Sequence, residues 1–271
     1  PRVHIVDVAS KANVVAQLPV RPNNLSLGGS VRDSAWAENS QKVHLSWLMR
    51  GSKAAYLAEV DASTGTARIV ARDTGKTYVE ISNPQDPGSF YVTKDLKDAF
   101  WWSERDGWGH LYRFDGAGVA NIAASDGDGG MSLAPEPKAQ LTSGPWQVGQ
   151  ISYVDETAKQ VYFTGRGRDG FLYYPKLYRT SYDGAGLTLL TPEDGHHVIS
   201  FSPSGKYFVD TYSRVESAPV AVLRNATTGA IIRKLEEGDV SRLKGIGWRP
   251  AQVFSVKARD GVTDIYGLLY L

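Results

Sequence analysis

The sequence has no cysteine, so neither disulfides nor thiolate metal sites can organise it. No apolar run approaches the roughly 20 residues that a membrane-spanning helix needs, so no span is expected in this chain. Neither sign of charge is in excess. The 30 Lys and Arg stand against 29 Asp and Glu, a net charge of +1, which gives no electrostatic ground for binding nucleic acid or an anionic membrane. Helical patterns are scarce, and only Asp239–Ile246 reads as a short helix. The five histidines show no H-x-x-x-H spacing. No serine has the G-x-S-x-G context of an α/β-hydrolase nucleophile; Gly28-Gly29-Ser30 lacks the closing glycine because position 32 is Arg32.

Aromatics, at 11% with 7 Trp, accompany 28 Gly and 13 Pro in 271 residues, a composition suited to many short strands joined by tight turns. The chain opens at Pro1 rather than at an initiator Met, which leaves room for a targeting segment, or much more, upstream. The most informative stretch is Trp101–Asp115, WWSERDGWGHLYRFD. Two aromatic-rich runs, Ala99–Ser103 and His110–Phe114, flank a polar turn centred on Asp106-Gly107, a strong hairpin signal.

That hairpin sits in a repeat. Val3–Val8 and Asn13–Leu18 are short strands that read as the end of a preceding unit, after which Pro19, Pro22 and Asn23-Asn24 break the chain. The first full unit reads Ser34-Ala35-Trp36, Lys42–Arg50, Ala54–Asp61 and Thr66–Ala71. In its second strand Val43, Leu45, Trp47 and Met49 alternate with His44, Ser46 and Arg50, a period of two. The next unit reads Phe90–Val92, Ala99–Ser103, His110–Asp115 and Val119–Ala123. The third reads Gln150–Asp155, Gln160–Thr164, Lys176–Ser181 and Leu187–Leu190; the fourth reads Val198–Phe201, Tyr207–Tyr212, Pro219–Arg224 and Ile231–Leu235. Outer turns at Gly65, Gly118, Gly186 and Gly229 occupy the same place in their units. The expected fold is all-β: a partial β-propeller of about four four-stranded blades plus a preceding half blade, with a period of roughly 45–65 residues. A β-sandwich or barrel without true repeats is the competing architecture. Blades 1–250 and a terminal hairpin 251–271 form the expected domain division.

Several motifs promise chemistry that their context withdraws. Gly165–Gly170 matches G-x-G-x-x-G, but Phe171–Pro175 follows instead of a helix, so a loop between strands is expected and no cofactor. Gly75-Lys76-Thr77 fails as a phosphate loop because Val70 stands where the leading glycine belongs. Asp126–Gly130 has alternating carboxylates, but Pro137 replaces the closing Glu of a calcium loop, and no metal is expected there. His196 and His197 read chiefly as a loop entering Val198–Phe201; on a strand, as neighbours, they would face opposite ways and not easily share one metal. Glu104 and Asp106 can be read as an acid/base pair or, more simply, as parts of the hairpin turn.

The run Ser103-Glu104-Arg105-Asp106-Gly107, preceded by Trp102 and followed by His110-Leu111-Tyr112, closely resembles the N-terminal propeller of the dipeptidyl peptidase IV group within the prolyl oligopeptidase-type serine peptidases. Trp47–Arg50, Leu141–Val148 (LTSGPWQV), Val161–Gly165, Leu177-Tyr178 and Phe201–Gly205 agree with that group in order. The resemblance implies a portion of an eight-bladed propeller, and implies that Phe254–Leu271 is the first hairpin of an α/β-hydrolase domain absent from this chain. It implies an enzyme that releases dipeptides from peptide N-termini after Pro or Ala, in which this portion is non-catalytic and gates substrate. The family's catalytic triad and its paired glutamates have no matching positions, so no catalytic residue is assigned. Loop Ser82–Pro87, with Ser82, Asn83, Gln85 and Asp86, is expected to line the substrate cavity. Peptide substrates engaged through the hydrolase domain are the expected partners, a homodimer is an assembly the resemblance allows, and the compartment is expected to be periplasmic or secreted. The alternative is a non-enzymatic propeller that binds a protein or peptide, which fold alone does not exclude; a periplasmic translocation-type propeller would lack the S-E-R-D-G hairpin.

Overall fold

The computed structural model describes residues 2–18, 24–26, 36–49, 51–80, 90–119 and 135–271. A hairpin of β1 (His4–Val6) and β2 (Asn13–Val15) opens the chain. The first four-stranded sheet runs β3 (Asn24–Ser26), β4 (Lys42–Leu48), β5 (Ala54–Asp61) and β6 (Ala67–Thr74), in that order. The second runs β7 (Phe90–Val92), β8 (Asp98–Ser103), β9 (His110–Asp115) and β10 (Ala139–Gln140). The third runs β11 (Gln147–Asp155), β12 (Gln160–Arg166), β13 (Lys176–Ser181) and β14 (Thr188–Leu189). The fourth runs β15 (His196–Phe201), β16 (Tyr207–Arg214), β17 (Ser217–Asn225) and β18 (Ile231–Glu237). A short helix, α1 (Ser241–Gly245), and a hairpin of β19 (Gln252–Lys257) and β20 (Asp264–Leu269) follow. Each four-stranded sheet is a meander of sequence neighbours, the blade of a propeller. The chain forms two compact units, residues 1–168 with 178–188 and residues 169–177 with 189–271.

Within the first unit the sheets are buried on both faces. Every interior position of β4 and β5 is buried, so the alternation along β4 separates two packed interfaces rather than core from solvent. One face of the first sheet sends Val43, Leu45 and Val60 against Val3 and Ile5 of the opening hairpin. The other sends Ala55, Leu57, Val70 and Ala71 against Phe90, Trp101, Tyr112 and Phe114 of the second sheet. Trp47 stacks on Tyr56 with ring centroids 5.2 Å apart. In the second unit, β18 is exposed at every residue, as the last strand of its sheet.

Two expected strands are placed differently. The innermost strand of the first sheet is Asn24–Ser26, inside the segment expected to break the chain, whereas Trp36 makes only an isolated bridge to Val43 and residues 34–35 lie outside the described residues. The outermost strand of the second sheet is Ala139–Gln140, which pairs with Arg113 and Tyr112. Val119, expected to begin that strand, instead bridges Ile69 of the first sheet, and residues 120–123 lie outside the described residues. Asn24–Ser26 and Ala139–Gln140 contain no aromatic or β-branched residue to mark them as strands; long-range pairing decides. The helix, the third and fourth sheets and the terminal hairpin fall where expected.

One turn recurs in every sheet. Gly65, Gly118, Gly184 and Gly229 all have positive φ (76°, 62°, 84° and 73°) and close the turn that follows the third strand of their sheet. Their N–H groups donate to Asp61 O, Asp115 O, Ser181 O and Asn225 O. Each also lies against the outermost chain of the preceding element. A Cβ at Gly65 would collide with Val15 O, and one at Gly229 with Leu190 O; at Gly118 it would stand 2.8 Å from Ile69 O, and at Gly184 2.9 Å from Gln140 O. Glycine therefore supplies both the left-handed backbone and the missing side chain. In the third sheet the role belongs to Gly184, not Gly186, because the turn from Ser181 is one residue shorter than those from Asp61 and Asn225; Gly186 has positive φ but open space around it. This contrast gives a test. Gly229→Ala is expected to cost about 3 kcal/mol, strain plus collision, against about 1 kcal/mol for Gly186→Ala, where strain acts alone, read as shifts in urea midpoint at constant m.

Candidate functional site

The hairpin of β8 and β9 pairs Trp101 with Tyr112, Trp102 with Leu111 and Ser103 with His110. Its residues reach in two directions. Toward the first sheet they converge on one carboxylate, that of Asp73 on β6, which is almost wholly buried. Trp101 Nε1 donates to Asp73 Oδ2 at 2.6 Å, and Ser103 Oγ to Oδ1 at 2.8 Å. Arg105 completes the set: its guanidinium donates to Asp73 Oδ1 at 2.5 Å, to Arg72 O at 3.0 Å and to Ser103 Oγ at 3.0 Å. The same guanidinium lies 4.8 Å from the ring centroid of Tyr112 and 5.2 Å from that of Phe114, within cation–π range.

Toward the third sheet the hairpin meets the LTSGPWQV segment. Trp102 Nε1 donates to Val148 O at 2.8 Å, and Val148 N–H donates to Gly109 O at 2.8 Å. The Trp102 ring occupies the space a side chain at Gly109 would need. His110, fully buried, uses both ring nitrogens, Nδ1 on Thr142 Oγ1 and Nε2 on Gly144 O, each at 3.0 Å, and packs edge-on against Trp146 at 5.7 Å. Leu141 N–H donates to Leu111 O, and Leu111 N–H donates to Thr142 Oγ1. The two motifs are therefore halves of one joint. Leu111 and Tyr112 are core residues of it, and burial, followed by the charge of Asp106, pushes the Tyr112 phenol above its ordinary value.

Asp106 and Gly107 form the turn itself. Asp106 accepts from Trp108 N–H at 3.2 Å and from Gln140 Nε2 at 2.6 Å, which ties the turn to β10. Glu104 opens that turn, its carbonyl accepting from Gly107 N–H at 2.9 Å, but its side chain points elsewhere. With Glu80, Arg105 and Tyr78, Glu104 lines a hollow of about 300 Å³ at the end of β6 and β8. Burial, then the nearby charge of Glu80, raises the Glu104 carboxyl above its usual range. Glu104 and Asp106 thus have different surroundings, and the hairpin reading explains Asp106 without acid/base chemistry. Ser82, Asn83, Gln85 and Asp86 lie outside the described residues, as do Asp126–Gly130, so their placement adds nothing to the site.

Two other histidines, His197 and His44, are buried. His197 Nδ1 contacts the Asp210 carboxylate at 2.8 Å, which outwardly resembles a His–Asp catalytic pair. Its Nε2, however, is engaged by Glu193 O at 3.0 Å, and the ring is buried against Tyr212. Arg224, itself buried, joins Asp210 at 2.9 Å, Glu193 at 2.6 Å and Gly229 O at 2.9 Å, completing a network that the sequence did not reveal. His196 is exposed on the opposite face, as strand alternation requires. His44 is buried beside Lys42, and burial followed by that cation's charge pulls its imidazole down to about 4.

Residues 2–219 match the family described as the dipeptidyl peptidase IV (DPP IV) N-terminal region. The chain belongs to the dipeptidyl peptidase IV N-terminal region family. Over 222 residues it is 30% identical to dipeptidyl peptidase 4 of Trichophyton rubrum, covering 77% of this chain and 24% of that protein. Over 112 residues it is 31% identical to dipeptidyl peptidase 4 of Arthroderma otae, covering 41% of this chain and 12% of that protein. The crystal structure of Porphyromonas gingivalis dipeptidyl peptidase 4 superposes with a TM-score of 0.75 over 98% of this chain and 34% of that one; at 19% identity the likeness is one of fold. The chain spans about a quarter of the length of the curated relatives it matches over 222 residues.

Two outcomes follow from this geometry. Asp73→Ala is expected to cost about 3 kcal/mol, because it strands two buried donors and the Arg105 guanidinium, whereas Arg105→Ala leaves Asp73 with two neutral donors and costs about 1–2 kcal/mol; urea unfolding ranks them. The second concerns His44, whose faced charges are Lys42 and Glu59. Its folded value lies below that of an unfolded histidine, so the unfolded chain binds the extra proton. Stability is then lost as pH falls from about 6.5 to about 4, by an amount on the order of 3 kcal/mol, and is present in full above that window. The difference in urea midpoint between the native protein and His44→Gln, followed from pH 7 to pH 4, isolates this term and is expected to shrink as pH falls.

Proposed function

We propose that this chain is the non-catalytic propeller portion of a dipeptidyl aminopeptidase, and that it gates the approach of peptides to a serine-peptidase site carried by the rest of the protein. The observation that supports the reading most directly is the double joint of the Trp101–Asp115 hairpin, which holds Glu104 where it and Glu80 line a hollow. A hollow framed by two joined sheets suits selection by size and shape, because restricted access changes which substrates arrive rather than the chemical step. The relatives' name supplies the reaction class: release of N-terminal dipeptides, here assigned to peptides with Pro or Ala in second place. The hairpin β19–β20 is then the start of the hydrolase domain, and the full protein works in the periplasm or outside the cell.

The full-length protein is expected to release p-nitroaniline from Gly-Pro and Ala-Pro anilides, and a protein consisting of residues 1–271 alone is expected to release none. Glu104→Arg in the full-length protein should raise KM for longer peptides several-fold while leaving kcat for the anilides unchanged, the signature of lost access rather than lost chemistry. A full-length protein without anilide activity sinks the peptidase reading in favour of a binding module, and equal effects on short and long substrates sink the gating role.

A further inference from the structure

We propose that the cavity between the innermost strands of the second and third sheets, β7 and β11, binds a small uncharged molecule with an aromatic or aliphatic body and one amide-type hydrogen-bonding group. The cavity has a volume of about 480 Å³ and lies within the first unit. That volume falls in the range of small-molecule sites and is many times the share of one water. Its walls are mostly apolar, formed by Trp36, Tyr91, Val92, Leu96, Ile151 and Val154.

Two polar atoms among its lining residues, His44 Nε2 and Ser152 Oγ, are buried and have no hydrogen-bond partner. The nearest carboxylate to His44 Nε2 is that of Glu59, at 3.8 Å, too far for a hydrogen bond and already paired with Lys42 at 3.0 Å. Ser152 is there by backbone design. In β11, Ile151 faces Phe163 and Tyr153 faces Tyr162, so Ser152 is the extra residue of a β-bulge. Bulges re-aim a side chain out of the regular alternation, and here the redirected group is a lone hydroxyl in an apolar wall. Unpaired buried polar groups are costly, and a ligand that satisfies both relieves that cost.

The chemistry of the ligand follows from what the lining offers. The imidazole of His44 is neutral at ordinary pH, so Nε2 offers one lone pair or one N–H. The charged groups nearby are already matched: Lys94 pairs with Glu38 at 2.5 Å, and the Tyr91 hydroxyl donates to Glu156 at 2.7 Å. A carboxylate or ammonium ligand would find no free counter-charge and would be desolvated without return. An amide, which both donates and accepts, fits a neutral imidazole and a hydroxyl, while its apolar body fills the space between Trp36 and Ile151. This site is independent of the peptidase reading.

The test titrates the full-length protein with N-acetylphenylalaninamide and, separately, with its charged analogue N-acetylphenylalanine, following amide and imidazole nitrogen signals by NMR. The amide is expected to bind with a Kd below about 1 mM, to shift Val92, Ile151, Ser152 and the His44 ring, and to bind at least about tenfold more tightly than the carboxylate. Ser152→Ala and His44→Gln are each expected to weaken binding roughly fivefold to tenfold, with the remaining spectrum unchanged as proof of folding. Shifts that map elsewhere, equal binding of both probes, or affinity indifferent to both substitutions would overturn the proposal. So would a cavity that stays silent because it holds only water or another segment of the protein's own chain.

Discussion

The contact on which the architecture depends is the close approach of a side-chain-free turn to the backbone of the element before it. Sheets packed face to face are normally held about 10 Å apart by their side chains. At Gly65, Gly118, Gly184 and Gly229 there is no side chain, and the turn comes to within contact of a carbonyl on the preceding strand. Around Gly65 and Gly118 the approach carries hydrogen bonds as well: Gln17 N–H donates to Gly65 O, and Ile69 and Val119 exchange both of theirs. The aromatic packing of Trp101, Tyr112 and Phe114 against the first sheet operates inside limits that these approaches set.

The signature hairpin adds polar joints to that frame. Asp73 gathers three donors from the next sheet, and Trp102 and His110 hand their own donors and acceptors to the sheet after it. The second sheet is thereby fastened on both faces by groups that come from one fifteen-residue stretch. This accounts for the aromatic and charged composition of WWSERDGWGHLYRFD without any reaction being carried out there. What lies beside it, the hollow with Glu80 and Glu104, inherits its rigidity.

Most of the fold was legible because its elements are hairpins. Adjacent strands of five or more residues with aromatic and β-branched alternation, separated by Asp-Gly, Thr-Gly or Ser-Gly turns, can be read locally, and the third and fourth sheets were placed within a few residues. The failures were Asn24–Ser26 and Ala139–Gln140, which have no aromatic or β-branched residue and whose membership depends on partners far along the chain. The site was legible as a motif but not as a mechanism. Nothing around Asp73 in the sequence marks it as the acceptor for Trp101, Ser103 and Arg105, since the relation between them is spatial. The bulge at Ser152 was equally hidden, because one extra residue in a strand leaves no trace in composition. His196 and His197, whose sequence reads mainly as a loop entering Val198–Phe201, instead open β15, where strand alternation leaves His196 exposed and His197 buried.

A repeat such as the first, second or third sheet carries both a glycine turn, which meets the element before it, and a carbonyl, which receives the glycine turn of the sheet after it. A gene segment encoding one blade therefore carries both a plug and a socket. Copying or deleting such a segment leaves every remaining joint with its proper mate, so blade number can change in evolution without inventing a new interface. Sequence can drift within each blade as long as the plug stays bare.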